Sequence, residues 1–398
     1  MAGARVVSGM RPTGKLHIGH LVGALKNWVA LQEQQDCFYF VADWHALTSE
    51  FANTAPLPAN GLDNVADWIA AGVDPERSTI FVQSMVPEHA ELATLLSMVV
   101  PVSWLERVPT YKEQREQITD KDLSNLGFLA YPLLQTADVA MYDARLVPVG
   151  EDQVAHLELS REAVRRFNQF YGDVLVEPQP VLTPTSRLPG LDNRKMSKSY
   201  GNTIDLSDDA DSVVKKVRQM YTDPKRIRAD IPGTVEGNPV FMYHDAFNAD
   251  TAEVEDLKAR YRTGKVGDVE VKTKLAKAVN DVLEPLRERR REMLSKPGQI
   301  REIVHEGSRK ARVIAQATME RVRDAVKLRY WRDEPDRLRI IARRLPGQAR
   351  YLRGPARSAP APHSHERGEH LRHSDRDDHG AVSEVHRVDA GAEPRSRG

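Results

Sequence analysis

The sequence predicts an α/β protein: a parallel sheet covered by helices, followed by an α-helical region and a disordered C-terminal tail. Three observations carry that prediction. Short β-rich runs alternate with helically spaced apolar residues over residues 1–206, the pattern of successive βα units. Over 207–330 only helical periodicity recurs. Over 331–398 the chain is rich in Arg, Pro, His, Gly and Ala with little periodicity, which leaves too little apolar surface to offset the entropy of ordering. Those three stretches are the expected domains.

In the first, residues 5–8, 37–42 and 79–83 read as buried strands, while 18–34 and 61–71 place apolar residues at helical spacing. Strand and helix alternate in a Rossmann-like layout. Residues 131–142 and 152–170 add two helices, the second amphipathic with Leu157, Ala163, Val164 and Phe167 on its inner face. In the second stretch, 208–220, 252–261, 269–294 and 298–330 read as helices. The run 287–291 holds four arginines and one glutamate, a solvated helix face or a contact for RNA phosphates. In the tail, six of the thirteen histidines lie between His363 and His386, spaced too irregularly to read as a metal site.

Composition narrows the function. A chain of 398 residues has room for two or three domains. Lys plus Arg and Asp plus Glu both total 57, so no global basic field advertises nucleic acid, and any RNA contact must come from local patches. The lone Cys37 excludes an intramolecular disulfide and a thiolate zinc cluster, and no metal ligands are expected. The N-terminal residues lack the apolar core of a signal peptide, and no apolar run approaches a membrane span of ~18 residues. The expectation is a soluble, cytoplasmic protein.

Two motifs carry chemistry. Ser8 to His20 joins the first strand to the first helix, where phosphates bind in open α/β sheets. Its Gly9, Gly14 and Lys15 match the start of a P-loop, but Leu16 stands where magnesium needs Ser or Thr, and Pro12 removes a backbone donor. His17-Ile18-Gly19-His20 instead sets two imidazoles on one face at a helix N-terminus. Such a pair suits triphosphate oxygens, metal ligation or a structural role. Lys195-Met196-Ser197-Lys198-Ser199 follows a turn-rich loop and offers two ammonium groups to close on a leaving pyrophosphate, or an ordinary basic surface loop.

Together the two strings are the signatures of class I aminoacyl-tRNA synthetases, and the chain resembles the bacterial tryptophanyl enzymes from about Val6 to Leu328. The resemblance also rests on Ser8 to Gly14, Asp43-Trp-His-Ala-Leu-Thr48, Tyr131-Pro-Leu-Leu-Gln-Thr-Ala-Asp138, Pro148-Val-Gly-Glu-Asp-Gln153 and His156 to Arg161. The similar tyrosine enzymes place a tyrosine hydroxyl where this chain has Val7, which can line an apolar slot for indole but cannot bind a phenol.

The resemblance implies ATP, taken with Mg²⁺, L-tryptophan and its tRNA as partners, a homodimer, and tRNA bridging the subunits. It implies a catalytic set of His17, His20, Lys195 and Lys198. ATP is expected to be bound by these with Arg11, Thr13, Gly14, Gly19, Gly150, Asp152, Met196, Ser197 and Ser199. The tryptophan site is expected to comprise Val7, Gly9, His45, Tyr131, Gln135, Asp138 and Gln153. In it Asp138 accepts the indole N–H, and Tyr131 and Gln153 hold the α-amino group. By its residue pattern alone, Asp138 reads as a helix-surface carboxylate. The helices after 207 resemble an anticodon-binding region. The rival classes are a non-catalytic paralogue, against which both intact motifs argue, and a P-loop NTPase, against which Leu16 argues.

Overall fold

The computed structural model describes residues 3–108, 125–150, 153–182, 188–197 and 200–330. Five strands, β1 (Arg5–Met10), β2 (Asp36–Val41), β3 (Ser78–Val82), β4 (Leu146–Val149) and β5 (Gln179–Leu182), form one sheet in the order β3-β2-β1-β4-β5. Every neighbouring pair is parallel. Buried on both faces, β2 is the near-continuous apolar run Cys37-Phe-Tyr-Phe-Val41 that a central parallel strand requires.

Between β1 and β2 the chain forms α1 (Ile18–His20), a π-helical stretch (Leu21–Leu25) and α2 (Lys26–Leu31). The connection from β2 to β3 holds α3 (Asp43–Glu50) and α4 (Leu57–Ala71), and that from β3 to β4 holds α5 (Glu88–Ser97), α6 (Val102–Glu106) and α7 (Leu126–Ala140). Helix α8 (Val154–Tyr171) leads to β5 and buries Leu157, Ala163, Val164 and Phe167, the face read from the sequence. After β5 the described residues add only helices: α9 (Ala210–Arg218), α10 (Pro239–Phe247), α11 (Thr251–Arg262), α12 (Asp268–Ser295) and α13 (Pro297–Ala325). Among the described residues no helix is long and apolar enough to cross a membrane.

The departures from the sequence reading have local causes. Strands β4 and β5 carry Pro148 and Pro180, which blur a β signature, although an edge strand such as β5 tolerates proline. Helix α7 begins at Leu126 because the Asn125 side chain caps it, accepting from the Phe128 N–H at 2.8 Å. Helix α10 is short and was not expected, yet it has a readable start in Asn238 followed by Pro239. The tail, 331–398, lies outside the described residues.

The apolar core is continuous across residue 206. One buried cluster joins Val6, Trp28, Tyr39 and Trp68 to Phe241, Tyr261 and Leu275. The arginine run on α12 reinforces this seam through three of its arginines, so it is more than a solvated face. Arg287 donates to the Asp208 carbonyl at 2.7 Å and Arg289 to the Ala70 carbonyl at 2.6 Å. Arg290 pairs with Asp67 at 2.6 Å and also with Asp63 of α4. Glu288, Arg289 and Arg291 are exposed, Arg291 beside Glu284.

Burial pushes the Asp67 carboxyl up to about 6 against the opposing pull of Arg290. Because the folded value lies above the unfolded one, Asp67's contribution to stability declines as pH rises from about 4 to about 6. Arg290→Met, which orphans that carboxylate, is expected to cost about 3 kcal/mol of stability at pH 8. The loss should be smaller at pH 5, where the orphan takes up a proton, and should shrink again in Asp67→Leu/Arg290→Met. Urea unfolding at the two pH values checks this. An unchanged midpoint at pH 8 would mean that the pair does not hold the seam.

Candidate active site

In an open parallel sheet, ligands bind beyond the strand C-termini where the order reverses, here between β1 and β4. A cavity of about 320 Å³ lies there, walled by Val7, Gly9, Arg11, His45, Tyr131, Gln135, Asp138 and Gln153. The seven residues assigned to the tryptophan pocket are thus brought together, with Arg11 beside them. Phe40, Phe128, Val139, Val147 and Val149 complete an apolar lining. Gly9 is required sterically, because a Cβ there would stand 2.3 Å from the Phe40 ring.

Tyr131, Gln135 and Asp138 reach the cavity from one face of α7, at helical spacing. Asp138 is only 2% exposed, so the surface-carboxylate alternative does not hold. It has three partners: Oδ2 meets His45 Nε2 at 2.7 Å, and Oδ1 accepts from Gln83 Nε2 at 2.7 Å and His89 Nδ1 at 2.6 Å. Burial alone would raise its pKa, but the charge and hydrogen bond of His45 and the hydrogen bond of His89 outweigh burial and hold it at about 2. The site therefore presents an ionised carboxylate in apolar surroundings. Tyr131 hydrogen-bonds His156 Nε2.

Gln83, His89, Tyr142 and His156 escaped the sequence reading as site residues. Gln83 had a usable signal, closing the expected strand 79–83 at its C-terminal end, the end of the sheet at which ligands bind. Tyr142 lies four residues after Asp138, in the turn just past the end of α7. For His89 there was no local signal, since only the tertiary fold brings it to α7.

The first motif is shaped by Gly14, whose φ of +100° suits only glycine, and is anchored by buried Leu16 and Ile18. Thr13 N–H closes a tight turn onto the Arg11 carbonyl at 2.9 Å. The His17 and His20 rings lie 3.8 Å apart. His20 Nδ1 accepts from the His17 N–H at 3.1 Å, which puts the proton of the neutral ring on Nε2. Arg11 donates to Ser49 Oγ. Its pKa is lowered by burial, against which Glu50 acts.

The two motifs, far apart in sequence, are stapled together. Ile18 N–H donates to the Ile204 carbonyl at 2.9 Å and Leu206 N–H to the Leu16 carbonyl at 2.8 Å. Met196 packs where a side chain on Gly19 would be, its sulfur 2.8 Å from a Cβ built there. Buried Asn202 holds the second motif from behind, accepting from Ser197 N–H at 2.9 Å and donating to the Lys195 carbonyl at 3.1 Å. The Lys195 side chain is exposed. Gly150 follows β4, and its carbonyl accepts from Gln153 N–H at 2.9 Å. Asp152, Lys198 and Ser199 lie outside the described residues.

Comparison with known proteins agrees with this geometry. The profile of tRNA synthetases class I (W and Y) matches residues 2–284. A tryptophan–tRNA ligase of Thermotoga maritima is 50% identical over 327 residues, 82% of this chain and 100% of the relative. That of Aquifex aeolicus is 43% identical, covering 81% of this chain and 100% of the relative. The crystal structure of tryptophanyl-tRNA synthetase from Campylobacter jejuni complexed with ADP and tryptophan superposes with a TM-score of 0.74 at 34% identity, covering 81% of this chain and 99% of that one. With the motifs stapled at the strand ends and a carboxylate at the floor of an apolar slot, this chain belongs to the tryptophan–tRNA ligases, a family of class I aminoacyl-tRNA synthetases.

Proposed function

We propose that this chain activates L-tryptophan with ATP and passes it to the 3′-terminal adenosine of its tRNA, acting in the cytoplasm as a homodimer. The observation that carries the reading is the ionised Asp138 buried in an apolar cavity beside the first motif. Indole offers one hydrogen-bond donor and a large apolar body, and this slot offers one carboxylate and a wall of Val, Phe and Tyr. Tyr131 and Gln153 hold the α-amino group. Arg11, whose buried Nε has no acceptor among the described residues, meets the substrate carboxylate or the α-phosphate.

The substrate carboxylate is already ionised at neutral pH and attacks the α-phosphorus in line, so no general base is needed. What the protein supplies is position and charge. His17 and His20 donate to triphosphate oxygens, Thr13, Gly14, Gly19 and Gly150 give room for the nucleotide, and Lys195 and Lys198 stabilise charge moving onto pyrophosphate. Asp152, Met196, Ser197 and Ser199 complete the ATP site. Magnesium arrives with ATP, ligated by its phosphates, as is usual for this ion. The aminoacyl group then passes to the 2′-hydroxyl, and the helices after residue 207 bind the anticodon.

ATP–pyrophosphate exchange measured with each of the twenty amino acids tests the reading. Exchange is expected with tryptophan, and only weakly with the others. No exchange with any amino acid would leave a non-catalytic paralogue, and exchange driven by tyrosine would overturn the pocket assignment.

A further inference from the structure

Behind Asp138, on the side away from the cavity, lies a polar chain that no motif announces. His89 is fully buried. Its Nδ1 faces Asp138 Oδ1 at 2.6 Å and its Nε2 faces the Tyr142 hydroxyl at 2.7 Å. Gln83 Nε2 reaches the same Oδ1 at 2.7 Å. Neither Gln83, His89 nor Tyr142 lines the cavity, whereas Asp138 and His45 do.

The donor inventory fixes the direction of this chain. An ionised carboxylate only accepts, so His89 carries a proton on Nδ1, and in the neutral ring Nε2 is then the acceptor for the Tyr142 O–H. Burial and the negative charges of Asp138 and Glu88 push the Tyr142 pKa well up, so its hydroxyl keeps the proton it donates. Each carboxylate oxygen has about two in-plane acceptor sites. Both sites of Oδ1 are taken by Gln83 and His89. Among the described residues, Oδ2 has one taken by His45 and one left.

Resting on the reading that the cavity holds tryptophan, the geometry points to Gln83, His89 and Tyr142 as positioning residues for amino-acid selection. They commit Oδ1 to the protein and pin the carboxylate plane, so that the free site on Oδ2 is the atom that reads the indole N–H. Without them the carboxylate can rotate about its χ2 bond, and the cavity loses a fixed acceptor. Tyr142 acts at one remove, by stopping the His89 ring from turning its Nδ1–H away.

The test compares two substrates of nearly equal shape, tryptophan and 3-benzothienylalanine, in which sulfur replaces the indole N–H. Adenylate formation is measured with both for the wild type, Tyr142→Phe, His89→Leu and His89→Asn. The asparagine amide can reach Oδ1 much as Nδ1 does. Tyr142→Phe is expected to lower kcat/KM for tryptophan about 10-fold and His89→Leu about 100-fold, mostly through KM, with the benzothienyl analogue changing less than about twofold. His89→Asn should recover most of the loss.

Equal losses for both substrates would make the chain a structural network only and overturn the inference, as would no loss for either. Should His89→Leu fail to fold, Tyr142→Phe, which removes a single oxygen, still decides. A wild type that does not distinguish the two substrates would instead sink the underlying reading of Asp138, an outcome distinct from a discriminating wild type whose variants keep its ratio.

Discussion

Replacing Asp138 with alanine is expected to lower kcat/KM for tryptophan about 100-fold, the worth of a hydrogen bond to a charged group. Discrimination against phenylalanine should collapse further. A site built to hydrogen-bond a donor rejects the analogue lacking it by ~10⁴ or more, because the buried acceptor would be left unpaired. The structure adds a cost that the sequence did not suggest: alanine orphans the donors of His45, Gln83 and His89, at about 1 to 3 kcal/mol each. Asp138→Asn keeps the shape and separates the charge from the packing.

The carboxyl is held at about 2, below its ordinary value. Its contribution to stability is therefore complete above about pH 4 and is lost as pH falls through about 2. Selectivity should accordingly not vary between pH 5 and 8 on account of Asp138. Exchange rates with tryptophan and phenylalanine, read beside thermal melts, check all of this. A variant that keeps tryptophan efficiency and selectivity would remove Asp138 from recognition.

Lys195→Ala and Lys198→Ala should each slow tryptophanyl-adenylate formation by ~10² to 10³, the cost of losing one preorganised donor to developing charge, while leaving tryptophan binding nearly unchanged. The Lys195 side chain is exposed beside a backbone that Asn202 clasps, so the ammonium is presented on a held loop and is not spent on a protein ion pair among the described residues. Its interaction strengthens as charge moves onto pyrophosphate, which affects the rate constant more than the Michaelis constant. Pre-steady-state quench experiments separate the two. If both variants react at the wild-type rate once saturated with ATP and tryptophan, the loop binds substrate and is not a transition-state clamp.

The two motifs were legible as strings because each is local: a strand-to-helix turn that needs Gly14 leads into two imidazoles three residues apart, and five consecutive residues carry both lysines. The helix carrying Tyr131, Gln135 and Asp138 was legible by its spacing. Strands β4 and β5 were not, because Pro148 and Pro180 break the β pattern, and their place is set by pairing with β1 and with each other. The arginine run at 287–291 shows the same limit. A string of like charges looks solvated in one dimension, and only packing of α12 on α4 supplies Asp63, Asp67 and the Ala70 carbonyl.

The sequence by itself determined the class of chemistry, since triphosphate handling needs particular residue types at short fixed spacings and these survive in a linear reading. The amino acid came from the resemblance to the tryptophanyl enzymes at Val7 and the Asp138 segment, not from residue spacing. Only the tertiary structure decided how Asp138 is held. His45, Gln83 and His89 come from three separate segments, and a buried carboxylate stays ionised only where folding brings enough donors to outweigh its lost hydration. The stapling of residues 16–18 to 204–206 has the same origin: backbone pairing between remote segments leaves no mark in the identity of either one.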